Sequence, residues 1–256
     1  VIARAGSLRL IQKIGVGVNT IDLEAAKAAD IAVCNMPGTN SQAVAELTLL
    51  LMLSVLRRHA RLDTATRQGK GWNLGPELFE DYGEVHGRTV GLVGFGAVPR
   101  ILAPILTAMG ARLLYNTPAR KDDVLAEWCD LDSLLEQSDI VSLHVPLTPD
   151  SDRIIDAGAL RRMKPGAILI NTARGGLIDE TALISALKSG RLGGAGLDVF
   201  DQEPLDPASA LLGLDNVVLM PHLAWLTPET IERSIVVASE NCRRLARGKP
   251  LLHRIV

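Results

Sequence analysis

Short apolar runs alternate with longer helical patterns along this chain of 256 residues, and this alternation restricts the possible folds more than any other feature. The clearest section begins with an apolar run at 89–93, continues with a helical pattern at 97–109, and reaches a second apolar run at 112–116. Such strand–helix–strand units build parallel sheets that are covered by helices. The pattern therefore predicts an α/β fold with a doubly wound parallel sheet.

The same alternation predicts the remaining elements of the chain. Further strands are predicted at 10–14, 31–34, 140–145, 167–171, 194–198 and 217–220, and further helices at 43–59, 131–137, 157–163, 179–189 and 227–247. The segment from Gly69 to Gly87 combines glycines, acidic residues and helix breakers without periodicity, so we predict loops there.

Composition argues against several classes of function. Lys and Arg number 27 against 29 Asp and Glu, so the net charge of −2 leaves no basic excess for a nucleic-acid backbone. The longest apolar run, residues 43–56, is shorter than the roughly 20 residues of a membrane span. Cys34, Cys129 and Cys242 lie far apart, which favours a reducing cytoplasm over a disulfide framework or a thiolate metal site. We therefore expect a cytoplasmic protein without nucleic-acid, membrane or metal partners.

A near match to the dinucleotide-binding fingerprint follows the strand of the clearest section. Gly94 allows the tight turn from strand to helix, and Gly96 lets the backbone approach a pyrophosphate. The helix that starts at Ala97 and Val98 offers unpaired N–H groups and its positive dipole end to the same anion. Pro99 stands where the third glycine belongs, so we expect the helix to sit slightly off the sheet. The surrounding βαβ unit predicts cofactor binding rather than a purely structural turn.

The cofactor's ribose should lie at the end of the second strand, about 20 residues beyond the glycines. NAD-binding proteins place an acidic residue there, whereas this chain has Asn116. Because no carboxylate repels it, a 2′-phosphate could be held by Thr117, Arg120 and Lys121. The sequence therefore favours NADP over NAD. The alternative is that Arg120 and Lys121 are a solvated pair on a loop.

Three polar residues, Arg174, Glu203 and His222, each follow one of three successive predicted strands downstream of the glycine turn. Histidine titrates near neutral pH and can move a proton at a substrate oxygen. A neighbouring carboxylate orients the imidazole, and arginine holds a substrate carboxylate through two hydrogen bonds. Taken singly, these residues have ordinary structural interpretations as a surface arginine, a turn acid and a packed histidine. Together they predict interconversion of a 2-oxo acid and a 2-hydroxy acid.

The chain resembles the D-isomer-specific 2-hydroxyacid dehydrogenase family, which includes glyoxylate/hydroxypyruvate reductases and phosphoglycerate dehydrogenases. The matching stretches span almost the whole chain and comprise 15–19, 43–46, the glycine turn, 144–148, 171–176, 196–200, 203–204 and 221–222. The resemblance implies that Arg174 binds the substrate, that His222 is the acid/base and that Glu203 is its partner. It implies hydride transfer between NAD(P) and a small acid of the glyoxylate or hydroxypyruvate type.

The resemblance also implies the remaining contacts of the cofactor, which is NAD or NADP. Ala173 and Asp198 would lie beside the nicotinamide, and Val145 and Pro146 beside the adenosine. Glu203 separates the chain from the similar formate dehydrogenases, which carry glutamine at that position.

Domain organisation follows from the same resemblance. It implies a Rossmann cofactor domain at 40–224, inserted in a smaller flavodoxin-like substrate domain that retains residues 1–39 and the final helix, 225–256. Family members begin with a strand–helix–strand–helix portion ahead of the segment that matches Leu10 to Asn19, and this portion is absent here. We therefore expect an N-terminally truncated fragment or a shortened protein, and the family's habit implies a homodimer.

One alternative function belongs to a different class. The family resembles corepressors that sense nicotinamide cofactors and bind protein partners, so a shortened chain could be a binding module or an inactive remnant. The three intact polar residues favour the enzyme, because a pure binder needs no acid/base pair beside a carboxylate-binding arginine.

Overall fold

The computed structural model describes residues 2–72, 75, 82–122 and 124–256. The chain divides into two compact units, one formed by Val1–Ala43 with Trp225–Val256 and the other by Val44–Ala224. Assignment of the smaller unit to a substrate domain remains a prediction. Within the described ranges, no helix has both the length and the apolarity needed to cross a membrane.

The larger unit is built on a seven-stranded sheet whose neighbouring strands all pair in parallel. Its strands are β3 (Thr89–Val93), β4 (Arg112–Asn116), β5 (Glu127–Trp128), β6 (Ile140–Leu143), β7 (Ile168–Asn171), β8 (Gly194–Leu197) and β9 (Val217–Leu219). The order across the sheet is β5-β4-β3-β6-β7-β8-β9, so the chain first winds outward in one direction and then returns to β3 and winds in the other. This order confirms the predicted doubly wound α/β fold.

Helices cover both faces of this sheet. They are α2 (Ser41–Leu56), α4 (Ala97–Ala108), α5 (Leu131–Gln137), α6 (Ala157–Arg162) and α7 (Glu180–Lys188), whereas α3 (His59–Arg67) follows α2 and buries none of its residues. One buried cluster joins the sheet to apolar residues of α2 and α4, and a second cluster joins the opposite face to α5, α6 and α7. Strand residues alternate between the two clusters, with Leu169 in one and Ile168 and Ile170 in the other.

The smaller unit contains a two-stranded parallel sheet and two helices. These elements are β1 (Leu10–Gln12), β2 (Ala32–Cys34), α1 (Leu23–Ala28) and α8 (Pro228–Ala246). Buried Asn241 on α8 donates to Gln12 Oε1 at 2.6 Å and accepts from the Leu252 amide at 2.7 Å. The first bond ties α8 to β1, although 229 residues separate the two partners in the chain, and the second ties α8 to the segment that follows it. Three short 3₁₀ segments, Ile2–Arg4, Gly175–Leu177 and Ala210–Gly213, complete the described elements.

The long helix predicted at 43–59 is α2, which begins at Ser41 and ends at Leu56. The next helix, α3, was not predicted; it starts at His59 after Arg58 adopts a left-handed backbone with φ of 46°. The apolar periodicity does not reveal this break, because the residues on either side both favour helix. Much of the region predicted as loops between Gly69 and Gly87 lies outside the described residues.

The strand β5 was not predicted, since Glu127 and Trp128 form no apolar run and both are exposed. Pairing with β4 makes this segment a strand, through the partners Leu114↔Glu127 and Tyr115↔Trp128. The strand lies at the edge of the sheet beside the loop that follows β4, and it contributes to the site described below.

Candidate active site

The sheet reverses its winding between β3 and β6, and the turns that follow these two strands meet there. Open α/β sheets bind ligands at such a switch point, outside the carboxyl ends of the strands. Gly94 follows β3 with φ of 95°, and a Cβ at this residue would lie 2.7 Å from the His144 carbonyl oxygen. Glycine is therefore required at Gly94 by both backbone conformation and space.

Gly96 has a different role from Gly94. Its φ is −89°, and a Cβ built on it would meet nothing within 4 Å. The open space lies in front of the α4 N-terminus, whose N-cap residue, Gly96, has no side chain to cap the helix. An uncapped helix start with free access to its backbone fits a pyrophosphate, which the N–H groups and the helix dipole would stabilise. The turn therefore fits the predicted dinucleotide.

Ala97 and Val98 form the first helical turn beside this space, and Pro99 is buried in the same turn. Leu102 and Leu106 are fully buried against the sheet. The proline therefore leaves the packing of α4 on the sheet intact, although it removes one N–H from the helix start.

The loop after β4 lies beside the glycine turn. Asn116 donates from Nδ2 to the Cys129 carbonyl at 3.0 Å, so its amide joins β4 to the segment after β5. Thr117 Oγ1 donates to the Ala119 carbonyl at 2.6 Å, within the same loop. Arg120 and Lys121 are exposed at the surface. In this loop, then, the two cations are presented to solvent while the residues before them hold its shape.

The segment after β6 forms the other wall of the switch point. The His144 amide donates to the Val93 carbonyl at 2.7 Å, which joins the end of β6 to the end of β3. His144 Nε2 lies 2.9 Å from Ser142 Oγ, and burial lowers the pKa of His144 to about 3. This histidine is therefore a neutral, packed side chain. Val145, which follows it, is half-buried, and Pro146 is exposed.

Arg174 lies on a loop that a buried asparagine shapes. Asn171, at the end of β7, accepts from the Ala173 amide at 3.0 Å and donates to the Arg174 carbonyl at 2.8 Å. The Arg174 guanidinium donates to the Ala173 carbonyl at 2.6 Å. The side chain is half-buried, so part of its donor set faces outward.

Gly175 brings this loop against the segment that follows β8. A Cβ on Gly175 would lie 1.8 Å from the Phe200 carbonyl oxygen and 1.9 Å from its carbon. Only glycine allows two backbones to approach so closely. The Phe200 amide in turn donates to Glu203 Oε1 at 3.1 Å. The arginine loop and the glutamate are therefore joined through a single residue.

Glu203 and His222 form a direct pair. His222 Nδ1 lies 2.6 Å from Glu203 Oε2, a short distance for a charge-assisted hydrogen bond. Glu203 thus uses one oxygen for the imidazole and the other for a backbone amide. Among the described residues, no protein group is hydrogen-bonded to His222 Nε2. With side chains 40% and 36% exposed, the histidine and glutamate are open to a ligand.

Asp198 holds the backbone that carries the histidine. Its two carboxylate oxygens accept from the amides of Leu223 and Ala224, each at 2.9 Å. His222 itself adopts a left-handed backbone with φ of 58°, a conformation that costs about 1–3 kcal/mol unless its surroundings hold it. Burial raises the pKa of Asp198, and the two amide bonds oppose that effect. The aspartate therefore positions the histidine.

A cavity of about 600 Å³ opens beside the pair. Its walls include Glu203 and His222, and the remainder is apolar: Phe200, Pro204, Leu205, Leu212, Leu219, Met220 and Pro221. Within the described residues, no cluster of three or more His, Cys, Asp and Glu side chains is arranged to hold a metal ion. The structure thus gives an imidazole backed by a carboxylate, with the Arg174 guanidinium on the loop that Gly175 brings against the Phe200 segment. An imidazole–carboxylate pair is suited to proton transfer, and a guanidinium is suited to holding an anion.

Three residues of this arrangement were not predicted as site residues: Asn171, Gly175 and Phe200. Asn171 and Gly175 belong to the stretch that carries the family resemblance, so their positions were visible but their roles were not. Phe200 acts through its backbone amide, which no side-chain pattern signals.

Comparison with known proteins shows which family this chain resembles. The family model described as the NAD-binding domain of D-isomer-specific 2-hydroxyacid dehydrogenases matches residues 49–224. Glyoxylate reductase from Korarchaeum cryptofilum is 41% identical over 251 residues, which cover 96% of this chain and 75% of the relative.

Solved structures show the same likeness. A Thermus thermophilus protein of known crystal structure superposes with a TM-score of 0.93 at 41% identity, covering all of this chain and 81% of its own. An acyclic imino acid reductase, solved in complex with NADPH and D-Arg, superposes with a TM-score of 0.87 at 33% identity, covering 97% of this chain and 79% of its own.

The fold, the switch-point turn and these matches lead to one conclusion. The chain belongs to the D-isomer-specific 2-hydroxyacid dehydrogenase family and is an NAD(P)-dependent oxidoreductase acting on 2-hydroxy acids.

Proposed function

We propose that the protein reduces a small 2-oxo acid of the glyoxylate or hydroxypyruvate type, with His222 as the proton donor and Arg174 as the carboxylate anchor. The observation that carries this proposal is the 2.6 Å bond between His222 Nδ1 and Glu203 Oε2. It leaves the opposite ring nitrogen, Nε2, directed away from the protein partner. The nicotinamide cofactor, when bound, supplies the hydride to the carbonyl carbon.

His222 would complete the reaction at the oxygen. Protonated, the imidazole donates from Nε2 to the carbonyl oxygen as it gains charge, and Glu203 stabilises the imidazolium by its own negative charge. Asp198 keeps the ring in place by binding the two amides that follow it. In the oxidative direction the neutral ring accepts the same proton.

Arg174 would bind the carboxylate of the substrate. Its guanidinium can offer two parallel N–H groups to a carboxylate, and the bond from Asn171 to its carbonyl keeps the loop fixed. The Gly175–Phe200 approach joins this loop to the Glu203 segment. In a 2-oxo acid the carboxylate is bonded directly to the carbonyl carbon. Such a substrate suits a site in which Arg174 holds the carboxylate while His222 serves the carbonyl oxygen.

The test of the catalytic role is the turnover of His222→Ala with glyoxylate or hydroxypyruvate. We expect a fall in kcat of about 10²-fold or more, because a general acid contributes on that scale. Glyoxylate reduction is followed by loss of NADPH absorbance, and cofactor binding by fluorescence serves as the control for folding. Near-native turnover of the variant would refute the role of His222.

We also propose that NADP is preferred over NAD. Asn116 supplies no carboxylate at the ribose position, and Arg120 and Lys121 stand exposed on the loop that follows. Asn116→Asp should shift the ratio of affinities towards NADH. The aspartate cannot donate to the Cys129 carbonyl, so it loses the bond that now holds this side chain and is free to turn to a ribose. Equal shifts of both affinities, or none, would contradict the assignment.

Two further proposals concern the state of the protein. A homodimer is supported by the family resemblance, and light scattering after size exclusion tests it. A cytoplasmic location is supported by three free cysteines, Cys34, Cys129 and Cys242, and cell fractionation tests it.

A further inference from the structure

We propose that Tyr115 and Trp128 are positioning residues that hold the loop 117–121 as a preformed site for the 2′-phosphate of the cofactor. This inference rests on the proposed preference for NADP and names the residues that create it. It concerns side chains that belong neither to the glycine turn nor to the His222 pair.

Tyr115 fixes the far end of the loop. Its hydroxyl accepts from the Lys121 amide at 2.7 Å and donates to the Lys121 carbonyl at 3.0 Å. A single hydroxyl therefore satisfies both backbone groups of one residue. The ring is only 1% exposed, so the hydroxyl is held in place by packing on β4. Because Lys121 cannot rotate its backbone without breaking both bonds, the direction of its side chain is restricted.

Trp128 fixes the near end of the loop. Its indole Nε1 donates to the Thr117 carbonyl at 3.0 Å across the β4–β5 pair. In the same pair, the Cys129 amide donates to the Tyr115 carbonyl at 3.0 Å. Thr117 is also joined to Ala119 within the loop, by a 2.6 Å bond from its hydroxyl. The loop is thus fastened at both ends and once inside.

Tyr115 also connects the loop to the glycine turn. Its ring lies with its centroid 4.9 Å from that of Phe95, the residue between Gly94 and Gly96, and the two planes are tilted by 56°. Such tilted aromatic pairs are favourable. Phe95 is itself buried. The Tyr115 side chain therefore contacts the glycine turn through its ring and the loop 117–121 through its hydroxyl, and it sets the distance between the turn and the loop.

This fastening matters because the anion-binding groups are flexible. Arg120 and Lys121 are exposed, with long side chains that lose rotamer freedom when they bind a phosphate. A fixed backbone reduces the freedom that must be lost, and preorganisation of this kind raises affinity without any new contact. Tyr115 and Trp128 act through their hydrogen bonds to the loop backbone, so they need not touch the phosphate themselves.

The experiment measures affinity for two fragments of the cofactor by calorimetry. Adenosine 2′,5′-bisphosphate carries the 2′-phosphate, and adenosine 5′-monophosphate does not. We compare the wild type with Tyr115→Phe, which removes only the hydroxyl and keeps the ring beside Phe95, and with Trp128→Phe, which removes the indole N–H. We expect each variant to bind the bisphosphate about five- to ten-fold more weakly, as the loss of one or two hydrogen bonds implies, and the monophosphate within about two-fold.

Matched controls are the other tyrosine and another tryptophan. Tyr82→Phe and Trp72→Phe change the same groups at residues that make none of these loop bonds, and Trp72 is 84% exposed. Both should bind the two fragments like the wild type. Melting temperature is recorded for every variant. If Tyr115→Phe unfolds, Trp128→Phe carries the test, because Trp128 is 40% exposed and contributes little to the core.

The outcomes separate the two proposals. A wild type that binds both fragments equally overturns the NADP preference, and with it this inference. A wild type that prefers the bisphosphate, together with variants that retain the full preference, leaves the cofactor assignment standing and overturns the role of Tyr115 and Trp128. Loss of both affinities to the same extent would show a general structural role and would also overturn it.

Discussion

Replacement of Gly175 by alanine tests the proposed junction between the substrate loop and the acid/base pair. The new Cβ would lie 1.8 Å from the Phe200 carbonyl oxygen, 1.9 Å from its carbon and 2.5 Å from the Asp201 amide nitrogen. All three are backbone atoms, so no side-chain rotation relieves the clash. To reach a tolerable 3.0 Å, the two segments must separate by about 1.2 Å.

This separation acts on both sides of the site. Phe200 donates to Glu203 Oε1, so moving its backbone moves the carboxylate that lies 2.6 Å from His222. Gly175 moves with Arg174, its neighbour in the chain. Misplacement of reacting groups by about 1 Å costs on the order of 10²-fold in rate. We therefore expect kcat/KM for glyoxylate to fall by about 10²-fold, with a loss of about 1–3 kcal/mol in the free energy of unfolding from overpacking.

The assay is NADPH-dependent reduction of glyoxylate, with thermal melting and cofactor affinity measured on the same samples. Gly176→Ala is the matched control, because the atoms nearest to a Cβ there belong to side chains, Leu147 at 3.0 and 3.4 Å and Asp152 Oδ1 at 3.7 Å, and these can rotate away. Cofactor affinity should change little in either variant, since the pyrophosphate turn lies after another strand. If Gly175→Ala retains kcat/KM within about three-fold of the wild type and melts normally, the close backbone approach has no role in catalysis and the reasoning is wrong.

Two further predictions concern residues at the switch point between β3 and β6. Gly96→Ala should keep the melting temperature, because its Cβ meets nothing within 4 Å and its φ is negative, but it should weaken NADPH binding by about ten-fold or more. Gly94→Ala should instead destabilise the fold, because its Cβ would lie 2.7 Å from the His144 carbonyl oxygen. A lowered melting temperature for Gly96→Ala would contradict this division of roles. His144 has a pKa of about 3 because burial disfavours its charged form, so its contribution to stability is complete above the unfolded value of 6.5 and declines as pH falls towards 3. When the pH is lowered from 7.5 to 5.0, chemical denaturation should show that the wild type loses about 1–2 kcal/mol more free energy of unfolding than His144→Gln. Equal losses in the two proteins would show that His144 is not the source of the pH dependence.

Much of the fold was predictable from local pattern. Each strand of the large sheet except β5 lies on a largely apolar run, because strands covered by helices on both faces are mostly apolar. β5 has no such run, and its two residues become a strand only because β4 offers unpaired backbone groups beside them. Helix α3 was not predicted either, and Arg58, which separates it from α2, gives no local signal for its left-handed backbone.

By itself, the sequence determined which strands the chain would form, where the glycine turn would lie and which polar residues would follow the strands, because these depend on residue type and short spacing. The tertiary structure alone decided how those residues meet. Gly175 touches Phe200 and Asp198 holds the residues after His222, although about 25 residues separate the partners in each case. Such contacts arise when parallel strands bring distant loops to one edge of a sheet, and no spacing along the chain records the distance between them.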